Sequence, residues 1–188
     1  MRKLKLQTQL SVDGFNAGPE GGMDWMTWDW GDDIKKYVND LHEECDTILL
    51  GRKMTDGFVS HWEGILKNPS DESYSFAKKM VDYPKIVFTK KLDKSRWNNT
   101  EIAAGDLKEE VKKLKSKSGK DMIVYGGSGF VTSLIKEGLI DEYHLFINPA
   151  AIGRGMTIFS GLENTMSLKL KSSTAYSCGI VALVYLPK

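Results

Sequence analysis

Two short stretches of this chain have the residue types to hold an anion. In Leu49-Leu50-Gly51-Arg52-Lys53-Met54-Thr55 a glycine closes an apolar run and two cations follow at once. The glycine allows a tight turn into a helix. Free N–H groups at that helix start, with Arg52 and Lys53 beside them, suit a phosphate. A surface turn with solvated charges is the plainer alternative. Val124-Tyr125-Gly126-Gly127-Ser128-Gly129-Phe130 is the second stretch, with three glycines in four residues. There a backbone can come close to a pyrophosphate. The spacing is not the dinucleotide fingerprint, because Thr132 stands where its last glycine would fall. Nor is it a P-loop, since no Lys-Ser or Lys-Thr follows. Close packing of a helix on a sheet would also explain the glycines.

Thr89-Lys90-Lys91, after Lys85-Ile86-Val87-Phe88, is a third candidate. Two phosphate-friendly turns on one sheet imply a long ligand with more than one phosphate. Arg52, Lys53 and Lys90 are not directly followed by a carboxylate, which favours a 2′-phosphate and hence NADP over NAD. Solubility would account equally well for Lys90 and Lys91.

Such turns act at the carboxyl ends of strands, so the elements around them matter. Leu4, Leu6, Leu10 and Val12 alternate with polar residues, a strand with one buried face. Asp13-Gly14 ends it, and residues 14–22, with four glycines and a proline, form a loop. In residues 31–45, Ile34, Tyr37, Val38, Leu41 and Cys45 recur on one helical face. Asp32 and Asp33 open that helix, where negative charge suits the dipole. Thr47-Ile48-Leu49-Leu50 is a buried strand, residues 70–82 a helix and residues 85–89 a strand, with another strand near Ile102. Asp106 to Glu109 has capping-box spacing, and Leu107, Val111 and Leu114 stripe the lysine-rich helix that follows. Residues 122–125 form a strand, and the glycines after it turn into a helix carrying Phe130, Val131, Leu134 and Ile135. Residues 143–148, 167–174 and 179–186 are strands with no helix between them. Alternation implies a parallel sheet with right-handed crossovers, and the ending implies antiparallel strands at one edge. An α/β fold in a single domain over residues 1–188 is expected.

Composition excludes other classes. Of 188 residues 41% are apolar and 27% charged, and 26 Lys and Arg against 25 Asp and Glu leave a net charge of +1. That balance argues against a nucleic-acid partner and against a disordered chain. Cys45 and Cys178 are too few for a disulfide framework. No apolar stretch is long enough for a membrane span. The start of the chain does not read as a signal peptide, so a cytoplasmic protein is expected. His42, His61 and His144 lack metal-ligand spacing, so no metal is expected. His42, beside Leu41, reads as a surface or packing residue. There is no nucleophile elbow. Residues 107–117 read as a solvated helix rather than a nucleic-acid contact.

The motifs together resemble the dihydrofolate-reductase-like superfamily, specifically the reductase domain of bifunctional riboflavin-biosynthesis deaminase-reductases and its stand-alone relatives. The matching residues are Ser11-Val12-Asp13-Gly14-Phe15, Gly22-Met23-Asp24-Trp25, Asp46 to Met54, Tyr125 to Gly129, and Pro149 to Gly155. They run in family order across residues 4–186. The resemblance implies a three-layer α/β fold, with about eight strands in a mixed, mostly parallel sheet, four helices and antiparallel C-terminal strands. It implies NADPH, with Gly51, Arg52, Lys53 and Met54 at the phosphates and Phe88, Thr89 and Lys90 near the adenosine. Gly126, Gly127, Ser128, Gly129 and Phe130 would lie along the pyrophosphate and nicotinamide. Pro149, Gly153 and Gly155 would shape a loop beside the cofactor, or simply a turn. It implies hydride transfer to a C=N or related bond of a small heterocycle, such as a pterin or the riboflavin-pathway pyrimidine 5-amino-6-(5-phosphoribosylamino)uracil. Relatives of this architecture are often dimers, and the apolar run at residues 180–186 suits either sheet burial or a dimer interface.

Dihydrofolate reductases carry a carboxylate early in the first helix. Counting back from Gly51 by the family distance lands on Lys35, with Asp32 and Asp33 a turn away and Asp29 further. Folate reduction is therefore not implied. Asp13 is the first candidate for a polar and catalytic substrate contact, against a plain Asp-Gly turn. Trp25 would stack on a flat substrate or help to form a flap. Trp28 and Trp30 read as a hydrophobic flap over the core. No deaminase zinc signature precedes these motifs. The competing class is a non-catalytic NADP(H)- or ligand-binding module on the same fold.

Overall fold

Parallel strands cannot be joined by tight turns, so each pair needs a crossover, and helices supply most of them. The computed structural model describes residues 1–188. In chain order the elements are β1 (Leu4–Leu10), α1 (Asp32–Glu43), β2 (Cys45–Gly51), α2 (Arg52–Ile65), α3 (Tyr74–Asp82), β3 (Lys85–Phe88), β4 (Thr100–Ala103), α4 (Leu107–Ser116), β5 (Asp121–Val124), α5 (Ser128–Lys136), β6 (Glu142–Ile147), β7 (Leu168–Ala175) and β8 (Val181–Pro187). The eight strands form one sheet in the order β4-β3-β2-β5-β1-β6-β8-β7. The first six in that order pair in parallel. Strand β8 runs antiparallel to both β6 and β7. Six strands therefore end at one common edge.

Helices cover both faces. On one, Val111 and Leu114 of α4 and Val131, Leu134 and Ile135 of α5 bury against Leu4, Leu6, Leu49, Met122 and Tyr143. On the other, Leu41, Phe58, Val59 and Met80 from α1, α2 and α3 pack on Ile48, Leu50, Val87 and Ile123. Ile34 and Val38 extend this layer onto Phe146 and Ala182. The chain leaving β5 goes to the α4–α5 face, whereas those leaving its neighbours β1 and β2 go to the opposite one. Crevices therefore open on both sides of β5 at the carboxyl edge, where α/β sheets bind ligands.

Several sequence expectations change. There are five helices rather than four, because residues 52–65 continue the helix that Gly51 opens. Gly57 and Gly64 weaken its intrinsic propensity, and burial of Thr55, Phe58 and Val59 holds it instead. Cys45 opens β2 rather than closing the first helix, and it is buried. Strand β1 has two buried faces, not one: Lys5 and Gln7 are 2% and 6% exposed. The α1 layer covers their side of the sheet, so polarity there marks pairing rather than solvent.

That pairing gathers at the amino edge. The Arg2 guanidinium binds Asp46 and reaches the Thr47 hydroxyl at 2.7 Å. Asp46 also accepts the Lys120 N–H at 2.8 Å. The Lys5 ammonium meets Glu44, with Asp121 at 3.2 Å. Burial works against the Lys5 charge, yet Glu44, Cys45 and Asp121 together raise its pKa above the ordinary value. Lys115 joins Asp141 at 2.5 Å.

Candidate active site

The two glycine turns meet at the carboxyl edge. Gly51 caps α2 and Gly127 caps α5, and neither helix start receives a side-chain hydrogen bond. Their first N–H groups have no side-chain acceptor, and the positive end of each helix dipole lies behind them. Helix α4 differs: the Asp106 carboxylate accepts from the N–H groups of Lys108 and Glu109, as its spacing predicted.

The two junctions interlock. The Gly127 N–H donates to the Met54 sulfur at 3.2 Å. A Cβ on Gly51 would lie 2.8 Å from that of Phe130, so α5 can approach β2 only over a glycine. Gly127 has φ +26°, a conformation that side chains disfavour. The Phe88 and Phe130 rings pack 5.0 Å apart and carry the contact on to β3. Gly51 pairs with Phe88 and Leu49 with Val124, so the ends of β3, β2 and β5 lie side by side. Arg52 is half-buried, Lys53 and Lys90 are exposed, and none of them forms an ion pair. The Thr89 hydroxyl accepts the Lys91 N–H at 3.0 Å, and Gly129 is exposed beside Ser128. The structure thus gathers every residue of the expected cofactor set along one stretch of edge.

On the other side of β5 the groups are anchored to one another. The Asp13 carboxylate accepts the Ser11 hydroxyl at 2.6 Å and the N–H groups of Ile152 and Gly153 at 3.2 and 2.7 Å. The Ser11 bond first, then that from Gly153, hold its carboxyl below the usual carboxylate range. It ties the Gly-rich loop to residues 149–155. Asn16 N–H to Met156 C=O, at 2.9 Å, continues that seam. A Cβ on Gly179, next to half-buried Cys178, would lie 3.3 Å from the Pro149 ring of the same loop.

The tryptophan segment is held by Asn148, whose side-chain oxygen accepts the Thr27 N–H at 2.9 Å. Trp30 packs on Phe146 and bonds the Thr27 carbonyl through its indole nitrogen. Trp28 departs from the expected core cover. It is 61% exposed and stacks only on Trp30, because Trp30 already occupies the site over Phe146. Trp25 is half-buried, and its indole N–H is shielded with no partner. The Asn16 side-chain oxygen is likewise shielded and unpartnered. Each such atom costs about 1–3 kcal/mol unless something fills the gap.

At the start of the first helix Asp33 and Lys35 are engaged, whereas Asp32 is exposed without a protein partner. Lys35 pairs with Glu72 at 2.9 Å, and Asp33 accepts the N–H and hydroxyl of Ser177. His42 is fully buried rather than at the surface; it stacks on Tyr125 and hydrogen-bonds its hydroxyl. Burial, helped by nearby Lys79, drives its pKa down to about 4. Sequence reading missed Asn16, Asn148 and the pairing of Tyr125 with His42. A polar Asn148 directly after an apolar strand was the one visible signal.

An α/β sheet whose carboxyl edge gathers two uncapped helix starts and unpaired cations has the chemistry of an anion-binding edge. The chain belongs to the RibD C-terminal domain family, which matches residues 2–182. It is similar to the uncharacterized protein YyaP of Bacillus subtilis, 33% identical over 186 residues that cover 98% of this chain and 94% of the relative. In fold it is similar to a Shewanella sp. PV-4 protein assigned to riboflavin biosynthesis, with a TM-score of 0.75 at 21% identity, covering 100% and 99% of the two chains. A Thermotoga maritima diaminohydroxyphosphoribosylaminopyrimidine deaminase/5-amino-6-(5-phosphoribosylamino)uracil reductase shares the fold, with a TM-score of 0.70 at 17% identity. All of this chain aligns there, on 57% of the larger protein. No helix is long and apolar enough to cross a membrane.

Proposed function

We propose that this protein is an NADPH-dependent reductase of a small, flat heterocycle, a reductase like those of the riboflavin pathway. The observation that carries the reading is the meeting of the two uncapped helix starts, joined through Met54 and Gly127 with unpaired Arg52 alongside. The residues present fit such a cofactor. The N–H groups that open α2 and α5 would hold the pyrophosphate, and Arg52, Lys53 and Lys90 would hold a 2′-phosphate. When bound, NADPH supplies a hydride for a C=N or related bond.

The chain's own residues then bind and orient. Trp25, half-buried beside the loop, would offer a flat face to the heterocycle. Asp13 stays ionised at neutral pH and is saturated with donors, so its part is to hold the 149–155 loop against the cleft. A proton for the reduced substrate would then come from solvent.

Titrating the intrinsic tryptophan fluorescence with NADPH and with NADH tests the reading. Saturable quenching selective for NADPH, followed by substrate-dependent loss of reduced-nicotinamide absorbance, is the expected result. Binding without turnover of any pterin, flavin precursor or quinone would favour the non-catalytic module. No binding by folded protein would overturn both.

A further inference from the structure

We infer, resting on the reductase reading above, that the substrate is a flat heterocycle without a phosphate, and that exposed carboxylates beside the cleft select against phosphorylated rings. The carboxyl edge changes sign across β5. On the β3–β2 side Arg52, Lys53 and Lys90 stand without ion pairs. On the β1–β6 side the chain runs from Leu6 to Ile34 without one Lys, Arg or His. Asp13, Glu20, Asp24, Asp29, Asp32 and Asp33 all fall in that stretch, all exposed and none in an ion pair. Asp13 and Asp33 are held by hydrogen bonds, from Ser11 and the 152–153 backbone and from Ser177. The other four meet solvent.

Hydrogen bonds lay this stretch along the edge. The Val12 N–H reaches the Ala150 carbonyl at 2.8 Å, Asn16 bonds Ser128 at the start of α5 at 3.0 Å, and Asn148, just beyond β6, holds the Thr27 N–H at 2.9 Å. Its carboxylates therefore rim the half of the edge where Trp25 would take the ring, across β5 from the cations. Little there offsets them. Lys35, the next cation along the chain, is committed to Glu72 at 2.9 Å. Arg154 is the one cation of residues 148–166, and the Asp13 carboxylate is bonded to the residue before it. A phosphate brings about two negative charges. Beside these carboxylates it meets repulsion, whereas an uncharged ring meets none. The edge thus accepts the phosphates of a cofactor on one half and rejects a phosphate on the substrate at the other. Rings such as 5-amino-6-(5-phosphoribosylamino)uracil are turned away, and unphosphorylated ones are taken.

Riboflavin and FMN, one flat ring without and with a phosphate, are the probes, each titrated into protein saturated with NADP⁺. The bound cofactor keeps Arg52, Lys53 and Lys90 from FMN. Flavin fluorescence anisotropy gives both dissociation constants without any turnover. At an ionic strength of about 0.01 M, where screening is weak, riboflavin is expected to bind about tenfold more tightly than FMN. At about 0.3 M salt the gap should shrink to about twofold. In the double variant Asp24→Asn/Asp29→Asn, altered only at exposed side chains, it should shrink at low salt too, with riboflavin and NADP⁺ affinities unchanged. FMN binding as tightly as riboflavin overturns the inference and leaves the reductase reading intact. So does a gap that neither salt nor the variant narrows, or failure of both flavins to bind protein that holds NADP⁺. Failure of wild type to bind NADP⁺ or NADPH at all would instead remove the reductase reading itself. The salt dependence in wild type is informative even if the variant does not fold.

Discussion

The two edges of the sheet use charge in opposite ways. At the amino edge Arg2, Lys5 and Lys115 each meet a carboxylate, and Asp46 alone takes contacts from Arg2, Thr47 and Lys120. At the carboxyl edge Arg52, Lys53 and Lys90 meet none, and two helix starts lack caps. Charge that is internally neutralised stabilises a fold; charge left open serves a ligand and adds little to stability. Mutations at the first edge should therefore change stability without affinity, and at the second the reverse.

Acid gives the largest expected effect, and it acts at neither edge. His42 and His144 are buried and neutral, each with a pKa of about 4 against an ordinary 6.5; burial is the main cause, and for His144 it is opposed by Glu142. The unfolded chain therefore takes up these protons first. The histidine contribution is fully present above pH 6.5, falls as the pH drops towards 4, and is gone below. Each histidine contributes on the order of 3 kcal/mol to that loss. Urea unfolding across this range checks it, and a flat profile would show that other groups compensate.

Asp46→Ala leaves the Arg2 guanidinium buried with only neutral partners. A loss of about 3 kcal/mol in urea is expected, with NADPH affinity unchanged in the folded fraction. Altered affinity would break the division between the edges. Arg52→Ala should weaken NADPH about tenfold and NADH much less, by loss of a charge-assisted phosphate contact, with melting unshifted. Equal weakening of both cofactors would take the 2′-phosphate away from Arg52. Asp106→Ala is the smallest change, about 1 kcal/mol from the lost cap. It marks what a capped helix start on the ligand edge contributes to folding, and cofactor titrations should not notice it.

The same contrast explains what the sequence revealed. Glycine turns after apolar runs are local signals, so the Gly51 and Gly126–127 junctions are legible from neighbouring residues alone. Alternation in β1 was equally plain, but its meaning was not: Lys5 and Gln7 look solvent-facing until α1 is laid over them. The body of α2 was hidden because its glycines weaken the local pattern and its stability comes from Phe58 and Val59 meeting the sheet. Asn16 gave no signal at all. Its hydrogen bond is to Ser128, 112 residues away in the chain.

The two cysteines have a practical consequence. Burial pushes the Cys45 thiol up to about 12, so almost none of it is thiolate at neutral pH and it will not react with maleimides. Cys178 is partly open and adjoins Gly179, which lies close to Pro149 in the loop that Asp13 anchors. A dye attached there without any engineering would sit at one end of that loop, at a single defined position on the protein.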